Sequence, residues 1–374
     1  MNIDSLNWHT YREICQQPTL WQDTYSIIAE KEKEISDFMS EFYDDDVIII
    51  FTGAGTSSFI GNIMTFMLPK QKIYNIKSVP TTDIATHPNT FFQKNKKYIL
   101  VSLARSGNSP ESIAAVDRAN SICEKNISHI VITCNDSGEL AKKTVNKNAL
   151  LLILPPDTND KGLAMTSSFT SMLLASMLIF DIKKISLKKN EIDRLSGKGE
   201  FMITGYADLI FKIASSEFQR AVFLGSGERK GIAEECHLKL QELTDGKVTC
   251  LFDSFLGFRH GPKAAINEKT VLVYLLSDDE KIFRYERDLI LQINRQVKPA
   301  IQIYVAQSKK QIDNIEFDLE MIPEKYDQTA YDVILYVLIG QLLGLFKSID
   351  LNLDPDNPSE SGKISRVVEG VTIY

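Results

Sequence analysis

The sequence VIIIFTGAGTSS, from Val47 to Ser58, indicates the fold class of this chain. Its first five residues are a continuous apolar run rich in β-branched side chains, which is typical of a strand buried on both faces of a parallel sheet. Small residues then form a turn, and hydroxyl side chains follow it where a helix is expected to begin. The stretch therefore predicts a strand, a tight turn and a helix, which is the repeating unit of α/β folds.

Similar strand-like runs recur along the chain and alternate with helical stretches. In the first half they are IYNIKSV, YILVSL, HIVITC and ALLLIL, with helices predicted at 111–124 and 165–180. In the second half they are AVFLG, VTCLF, TVLVYLL and AIQIYV, with helices predicted at 280–296 and 328–346. Such alternation predicts parallel sheets with helices on both faces. We therefore expect an α/β protein with two tandem three-layer αβα domains.

The length of 374 residues favours more than one domain. Both predicted domains begin with a strand and Gly-x-Gly, in FTGAGTSS at 51–58 and FLGSGERK at 223–230, which indicates an internal duplication. The charged segment 183–200 is predicted to connect the domains. The expected bounds are a helical lead-in at 1–43, a first domain at 44–190, a second domain at 201–350 and a tail at 351–374. The tail ends in apolar residues that predict docking on another surface, namely Val367, Val368, Val371 and Ile373.

Composition excludes several classes of protein. A net charge of −7 and a pI near 5.4 argue against a nucleic-acid-binding surface, which is usually basic. Five cysteines without paired spacing fit a reducing compartment better than a disulfide framework. No HxxxH or CxxC spacing occurs, and the adjacent Cys236 and His237 would splay apart, so we expect no metal site.

The same sequence predicts a cytoplasmic, soluble protein. The N-terminal residues MNIDSLNWHTYREICQQ lack the basic and apolar regions of a signal peptide. The apolar run at 172–180 is far shorter than the roughly 20 residues that a membrane span requires. We therefore expect neither a membrane nor a nucleic acid as partner.

Two loops rich in small and hydroxyl residues follow consecutive predicted strands. They are GAGTSS at 53–58 and ARSGNSPES at 104–112. In an open α/β sheet ligands bind beyond the carboxyl ends of the strands, and backbone N–H groups, hydroxyls and a helix N-terminus together suit a phosphate. Neither Gly-x-Gly turn is a dinucleotide fingerprint, and no GxxxxGK[ST] occurs. From these residues alone, phosphate binding and simple helix capping are both open.

An amphipathic helix with a charged edge is predicted after FLGSG. Three charged residues, Glu235, Lys239 and Glu242, fall within an arc of about 60° at 100° per residue. One interpretation is a surface ion pair at i,i+4. The other is a group that faces the crevice, where burial raises the carboxyl pKa, the ammonium lowers it, and protons exchange with a substrate. The apolar stripe beside this edge consists of Ile232, Cys236, Leu240 and Leu243.

The segment FRHGPK closes the same stretch, which runs from Ser226 to Lys263. His260 lies in a Gly-Pro corner without helical periodicity, so it has little reason to be a core residue. A histidine near its ordinary pKa both accepts and donates a proton at neutral pH, as the opening of a cyclic sugar requires. A histidine that only fixes the loop by hydrogen bonding is the alternative.

These motifs together resemble the sugar isomerase (SIS) domain family. SGNS within RSGNSPES marks the superfamily, and the second half is similar to the isomerase domain of glucosamine-6-phosphate synthase. Most of the chain resembles the AgaS-type group, described as galactosamine-6-phosphate deaminase/isomerase or tagatose-6-phosphate ketose/aldose isomerase. LGFRHGPK combined with the C-terminal tail is the specific signature. The similar motifs are VPTTDI, RSGNSPES, LKLQELTDGKV, LGFRHGPK and NPSESGKISRVVEGVTI.

The resemblance implies which residues hold the substrate and which move protons. Glu242 matches the base that transfers a proton between C1 and C2, with Lys239 and Glu235 beside it. His260 matches the ring-opening histidine, which in the synthase comes from the neighbouring subunit. The residues implied in phosphate binding are Gly55, Thr56, Ser57, Ser106, Asn108 and Ser109, with Arg105 at the edge.

The tail and two departures refine this expectation. In the synthase a tail lysine completes the site, and here Lys363 is the candidate and Arg366 the alternative. Ala104 stands where the synthase has a phosphate-binding serine, so one hydroxyl is missing. No glutaminase domain precedes the pair of SIS domains, and Cys15 is not at an N-terminal nucleophile position. The sequence therefore favours breakdown of an amino sugar over its synthesis.

The resulting hypothesis is an isomerase/deaminase that converts a hexosamine 6-phosphate, galactosamine 6-phosphate above all, into tagatose 6-phosphate and ammonia. Positioned acid/base groups suffice for this chemistry, so no cofactor is expected. The family's fold implies a homodimer or homotetramer with shared sites. Two alternatives stay open, namely isomerisation of tagatose 6-phosphate without deamination and a non-catalytic module that senses a sugar phosphate.

Overall fold

The computed structural model describes residues 7–41, 46–68, 75–144, 148–324, 327–360, 362–367 and 370–374. The chain divides into two compact units that are discontinuous in sequence. The first-sheet unit comprises Thr19–Asp160, Met165–Asp193 and Arg366–Tyr374. The second-sheet unit comprises Met1–Pro18, Lys161–Ala164 and Arg194–Ser365. The predicted domain bounds stay a prediction beside this division.

Each unit contains a parallel sheet of five strands. The first sheet has the order β2-β1-β3-β4-β5 and the second β10-β9-β8-β6-β7. Every neighbouring pair is parallel. The strands of the first sheet are β1 Ile48–Thr52, β2 Asn75–Ser78, β3 Tyr98–Ala104, β4 Ile127–Thr133 and β5 Ala149–Ile153. Those of the second are β6 Arg220–Gly225, β7 Thr249–Asp253, β8 Thr270–Leu275, β9 Ile301–Val305 and β10 Leu319–Met321.

Helices flank both sheets, which confirms the predicted α/β class with two αβα domains. In the first-sheet unit α4 packs on α9 and α5 on α7, and in the second-sheet unit α11 packs on α14 and α12 on α13. The α-helices are α1 His9–Cys15, α2 Gln17–Glu30, α3 Glu32–Glu41, α4 Thr56–Met67, α5 Thr81–Thr86, α6 Pro88–Phe91, α7 Pro110–Cys123, α8 Glu139–Thr144, α9 Ser167–Phe180, α10 Lys189–Ala214, α11 Glu228–Leu243, α12 Phe255–Phe258, α13 Glu280–Gln296 and α14 Leu338–Asp350. Short 3₁₀ helices occupy Glu124–Asn126, Pro156–Thr158, Ile182–Leu187, Pro262–Ala265 and Ala330–Val337.

The two sheets have the same strand order. Read from β7, the second sheet is β7-β6-β8-β9-β10, which corresponds strand by strand to β2-β1-β3-β4-β5 of the first. In each sheet the second strand along the chain lies on one side of the first strand, and the third strand lies on its other side. The order in which strands are added to the sheet therefore changes direction between the first and the third strand. Such a switch point leaves a crevice beyond the carboxyl ends of the two strands, where open α/β sheets bind ligands. The crevice of the first sheet lies between β1 and β3, and that of the second between β6 and β8.

The central strands are apolar because helices cover both of their faces. Every residue of β1, β3, β4 and β8 is buried. The core of the first-sheet unit continues from these strands into α5 and α7, and that of the second-sheet unit into α12 and α13. This burial explains why continuous apolar runs, rather than alternating ones, marked the strands.

The segment 183–200, predicted to connect the domains, is helical, with a 3₁₀ helix at Ile182–Leu187 and the start of α10 at Lys189. The division between the two units falls between Asp193 and Arg194. This part of α10 contains two glycines, and a glycine disfavours a helix by about 1 kcal/mol. The helix buries Ile192, Leu195 and Met202 on one side, and this packing outweighs the glycines.

Three smaller differences concern the second half of the chain. The predicted helix at 328–346 is a 3₁₀ segment, Ala330–Val337, followed by α14. The short strand β10 was not predicted, because three residues give no period. In the tail, the side chains of Val371 and Ile373 are 37% and 38% exposed in this chain, and Val368 lies outside the described residues.

One described segment is long and apolar enough to cross a membrane. It is Ala330–Asp350, and 94% of its apolar window is buried inside the protein. Burial of this degree is that of a core helix, so the segment contributes to the packing of the second-sheet unit.

Candidate active site

The first crevice is lined by the loop between β1 and α4. Gly53 must be a glycine, because a Cβ there would lie 2.6 Å from the Cβ of Ser57. Gly55 adopts φ 53°, which favours glycine, and it caps α4 without a side chain. Thr56 and Ser57 therefore occupy the first turn of the helix, and both are buried.

These hydroxyls have little to do with helix capping. Ser58 donates from Oγ to the carbonyl oxygen of Gly55 at 2.7 Å. The Oγ of Ser57 lies 4.0 Å from the sulfur of Met165, which is a weak contact. The N-cap position itself belongs to Gly55, which has no side chain, and the hydroxyl of Ser58 donates to a carbonyl oxygen instead of accepting from a backbone N–H as a capping side chain does.

The second loop of the crevice, Arg105–Ser109, follows β3 and is held by the loop after β4. Gly107 adopts φ 67°, and Asn135 donates from Nδ2 to the carbonyl oxygen of Ser106 at 2.8 Å. The side-chain oxygen of Asn108 accepts from the backbone N–H of Glu139 at 3.0 Å. The loop is thus fixed by its neighbour before any ligand binds.

The two serine hydroxyls of this loop differ in their hydrogen bonds. Ser106 accepts from the backbone N–H of Asn108 at 3.3 Å. Ser109 stands at the N-cap of α7, yet within the described part of the chain its side chain makes no capping hydrogen bond. Arg105 is only 7% exposed although it is charged. The loop therefore brings a buried cation and two half-buried hydroxyls to the carboxyl end of β3.

Three buried hydroxyls lie below the two loops, and those of Thr52 and Ser102 were not predicted from the sequence. Thr52 and Ser102 are partners in the register of β1 and β3, and both are almost fully buried. Thr81 follows β2, and its backbone N–H donates to the carbonyl oxygen of Gly53 at 2.9 Å. None of the three hydroxyls has a hydrogen-bond partner among the described residues. A polar residue at the end of a buried strand run was the available sequence signal.

In the second-sheet unit, the three charged residues of α11 form one ion cluster. The ammonium of Lys239 lies 3.2 Å from the carboxylate of Glu235 and also contacts that of Glu242. The side chains of Lys239 and Glu235 are fully buried, whereas that of Glu242 is 16% exposed. The surface-pair interpretation of this spacing is therefore wrong, because two of its members have no contact with solvent.

The electrostatics of the cluster keep Lys239 charged. Burial lowers its pKa and is the largest single effect, but the two carboxylates and their hydrogen bonds outweigh it, so the pKa is raised. The ammonium is thus a fixed positive charge at neutral pH. This charge lies against the carboxylate of Glu242, and a carboxylate is one of the side-chain groups that serve as general bases.

Close helix packing fixes this cluster. A Cβ on Gly340 of α14 would lie 2.6 Å from the Cα of Cys236. A Cβ on Gly344 would lie 3.0 Å from the carbonyl oxygen of Lys239. The two glycines let α14 approach α11 closely, so the apolar stripe of α11 is buried and its charged edge has one orientation.

The structure does not bring every predicted residue to this cluster. His260 is exposed in the corner between α12 and the 3₁₀ helix at Pro262–Ala265, and its backbone N–H donates to the carbonyl oxygen of Gly257 at 2.9 Å. Its neighbours Arg259 and Lys263 bind Gln292 and Gln296 of α13, each at 2.7 Å. Lys363 is exposed as well, in the second-sheet unit.

Arg366 belongs instead to the first-sheet unit, near the second loop of the crevice. Its own carbonyl oxygen accepts from Nη2 of Arg105 at 2.5 Å. Its guanidinium binds the loop at 159–160. Of the two tail candidates, only Arg366 therefore contacts a residue of the predicted phosphate loops in the described chain.

The described residues provide neither a cluster suited to a metal ion nor, among the four cysteines whose pKa is raised, a reactive thiol. No group of three His, Cys, Asp or Glu side chains is arranged to hold a metal ion there. Burial raises the pKa of the Cys123 thiol to about 11 and also raises the pKa of Cys134, Cys236 and Cys250. These cysteines are therefore neutral thiols, which are poor nucleophiles.

The arrangement defines a class of protein, and comparisons with known proteins agree with it. The SIS domain family model matches residues 41–181. The D-galactosamine-6-phosphate deaminase AgaS of Escherichia coli is 34% identical over 375 residues, with 98% of this chain and 95% of that protein covered. This chain is thus a SIS-domain protein with two α/β units.

Solved structures agree along the full length. A crystal structure from Clostridium novyi NT has a TM-score of 0.93 at 38% identity, over 98% of this chain and 95% of that one. The tagatose-6-phosphate ketose/aldose isomerase of Escherichia coli has a TM-score of 0.88 at 31% identity, with 98% and 96% covered. The chain belongs to the AgaS-type family of SIS-domain proteins.

Proposed function

We propose that this protein is an isomerase/deaminase that converts galactosamine 6-phosphate and water into tagatose 6-phosphate and ammonia. The observation that carries the proposal is the ion cluster of α11, in which a partly exposed Glu242 contacts a fully buried, charged Lys239. A carboxylate in this position is the proposed acceptor of a proton from carbon. The full-length similarity to the AgaS deaminase of Escherichia coli supports the choice of substrate.

The proposed reaction combines ring opening, the transfer of a proton from C2 to C1 and the hydrolysis of an imine. The sugar ring opens with help from His260, which gives the aldehyde at C1. Glu242 removes the proton from C2, and the resulting enolamine takes a proton back at C1, so that C1 becomes an alcohol carbon and C2 an imine. Water adds to the imine, ammonia leaves, and the ketose 6-phosphate remains. No oxidant or reductant is required, because the isomerisation moves hydrogen within one molecule.

The phosphate is assigned to the first crevice. Its proposed ligands carry hydroxyls, backbone N–H groups or a positive charge, and they lie at the N-termini of α4 and α7, where the helix dipole favours an anion. The absent hydroxyl at Ala104 is offset by the neighbouring buried Arg105. The proposed phosphate ligands are Gly55, Thr56, Ser57, Arg105, Ser106, Asn108 and Ser109.

Isomerisation without deamination is the second candidate, favoured by the similarity to the tagatose-6-phosphate isomerase of Escherichia coli. Galactosamine 6-phosphate, glucosamine 6-phosphate and tagatose 6-phosphate are incubated separately with the protein, and ammonia and ketose are followed by independent assays. Equal amounts of ammonia and tagatose 6-phosphate from the first substrate are expected. Turnover of tagatose 6-phosphate with no ammonia from either amino sugar would replace the deaminase by the isomerase.

The remaining parts of the hypothesis stay predictions. The exposed His260 fits a residue that serves the site of a second copy, as in a homodimer or homotetramer, and sedimentation analysis measures the assembly directly. Solvent deuterium incorporation at C1 or C2 separates an enzyme from a silent sensor of sugar phosphates. A cytoplasmic location likewise awaits fractionation of cells.

A further inference from the structure

Asp160 forms a rigid point in the first-sheet unit. It is fully buried, and its carboxylate accepts hydrogen bonds from three successive backbone N–H groups at the start of α9, those of Thr166, Ser167 and Ser168, at 2.9 to 3.0 Å. The hydroxyls of Thr166 and Ser168 donate to the same carboxylate at 3.1 and 2.5 Å. A carboxylate that caps a buried helix in this way has one position, and its backbone is fixed with it.

Arg366 binds the C-terminal tail to this rigid point. Nε of Arg366 donates to the carbonyl oxygen of Asp160 at 2.7 Å, and Nη2 donates to the same oxygen. Nη2 also donates to the side-chain oxygen of Asn159 at 2.8 Å. The planar guanidinium therefore holds two acceptors at once, which an ammonium cannot reproduce with the same geometry.

The same arginine turns its backbone toward the phosphate loop. Its carbonyl oxygen accepts from Nη2 of Arg105 at 2.5 Å, and Arg105 is 7% exposed. A buried guanidinium must satisfy its donors with protein acceptors, because an unsatisfied buried donor is costly. The binding of the Arg366 side chain at 159–160 holds this acceptor in place.

We propose that Arg366 is a positioning residue for phosphate recognition: its side chain anchors the tail to the 159–160 loop, and its carbonyl oxygen orients the guanidinium of Arg105 at the edge of the first crevice. This inference rests on the proposed function, since it takes the crevice to be the phosphate site. It also assigns the tail residue that serves this loop to Arg366 and not to Lys363.

A binding experiment tests the coupling without requiring catalysis. Inorganic phosphate and tagatose 6-phosphate are titrated calorimetrically, in phosphate-free buffer, into the wild type, Arg105→Ala, Arg366→Ala, Arg366→Lys and the double alanine variant. Arg118→Ala is the matched control, because it removes a half-buried arginine that donates to the backbone oxygen of Tyr374 in the same tail. Melting temperatures are recorded for all variants.

The expected result is a loss of at least tenfold in affinity for both ligands in Arg366→Ala, with no recovery in Arg366→Lys and no change in Arg118→Ala. The double variant should bind no more weakly than Arg105→Ala alone, because both residues act through one guanidinium. Should Arg366→Ala fail to fold, Asn159→Ala removes one of the two anchoring acceptors and should weaken binding by a smaller factor.

Two outcomes would overturn the inference. Arg366→Ala that binds phosphate like the wild type shows that the tail does not position Arg105, and additive losses in the double variant show that the two arginines act independently. A wild type that binds phosphate but releases no ammonia from any hexosamine 6-phosphate refutes the proposed deaminase alone. A wild type with no affinity for either ligand refutes both.

Discussion

Two turns with the same backbone carry different chemistry in this protein. Gly55 before α4 has φ 53° and ψ −130°, and Gly227 before α11 has φ 61° and ψ −127°. Two residues earlier, Gly53 and Gly225 each pack against the residue four positions ahead, which leaves no space for a Cβ. Each sheet thus presents the same strand, turn and helix at its switch point.

The side chains after the second glycine separate the two turns. In the first turn they are hydroxyls, which donate to an anion without adding charge. In the second, Glu228 and Arg229 form an ion pair at 2.8 Å, with side chains 15% and 13% exposed. Because the carboxylate of Glu228 already lies in the first turn of α11, at the positive helix terminus, we expect this crevice to favour a phosphate less than the first one.

The helix after the second turn, α11, carries its ion cluster further from its N-terminus. Glu235, Lys239 and Glu242 lie two to four turns beyond the start of α11, on the edge that the packing of α14 leaves aside. The repeated scaffold thus supplies equivalent positions, and in the proposed mechanism the residues at each position decide between anion binding and proton transfer.

The largest expected effect is on proton transfer. Glu242→Gln keeps the size of the side chain but cannot accept a proton, so turnover should fall by about 10² to 10⁴ while ligand affinity is retained. Ammonia release and deuterium exchange at C2 measure the loss. Glu280→Gln, on the exposed start of α13, is the control and should behave as the wild type. Normal turnover in Glu242→Gln would remove this residue from the mechanism.

Removal of the central charge of the cluster should be the next largest effect. Lys239→Met leaves two carboxylates without their ammonium, and breaking a buried ion pair from one side costs about 3–5 kcal/mol. Denaturant unfolding at pH 7 measures the loss of stability. A stability equal to that of the wild type would show that the buried charge contributes nothing net.

The stability of the wild type and that of Lys239→Met should depend differently on pH. The folded pKa of Lys239 is raised, so its contribution to stability is complete below its unfolded pKa, near 10.4, and is lost as the pH rises through the folded value. The wild type should therefore lose part of its stability above about pH 10, and Lys239→Met should lack this step. The variant should instead gain stability on acidification, as its unpaired carboxylates take up protons.

The shared turn geometry predicts equal sensitivity at two distant glycines. Gly53→Ala and Gly225→Ala introduce a Cβ at 2.6 Å and 2.3 Å from the nearest atom, and each should destabilise its unit by about 1–3 kcal/mol. Gly197→Ala in α10 meets no atom within 4 Å and should stabilise by up to about 1 kcal/mol. Thermal unfolding compares the three. A tolerated Gly225→Ala would show that the two turns are not equivalent.

The smallest effect should separate the two turns by ligand affinity. Ser57→Ala removes one hydroxyl from the first crevice, and a hydrogen bond to a charged group contributes about 1.5–3 kcal/mol, so affinity for inorganic phosphate should fall about tenfold or more. Glu228→Gln in the second turn should leave that affinity unchanged. Loss of phosphate binding in Glu228→Gln, with none in Ser57→Ala, would transfer the phosphate site to the second sheet.

Local sequence predicted more of the strands than of the site. Continuous apolar runs such as the one at Val47–Phe51 occur only where both faces of a strand are covered, so these strands could be recognised directly. The helix over the glycines of α10 was not predicted, because the cost of a glycine is local, whereas the packing that outweighs this cost involves residues far apart in the chain. The buried Asp160 was not predicted, since a lone aspartate among turn residues resembles any solvated loop.

The sequence by itself determined the alternation of strands and helices, the two Gly-x-Gly turns and the charged edge of α11, because each depends on residues close together in the chain. Only the tertiary structure decided that Lys239 and Glu235 are buried while Glu242 reaches the surface, and that Arg366 of the tail contacts Arg105. Burial depends on which helix packs against which, and the contact between Arg366 and Arg105 joins residues separated by most of the chain. No local pattern of residue types encodes either.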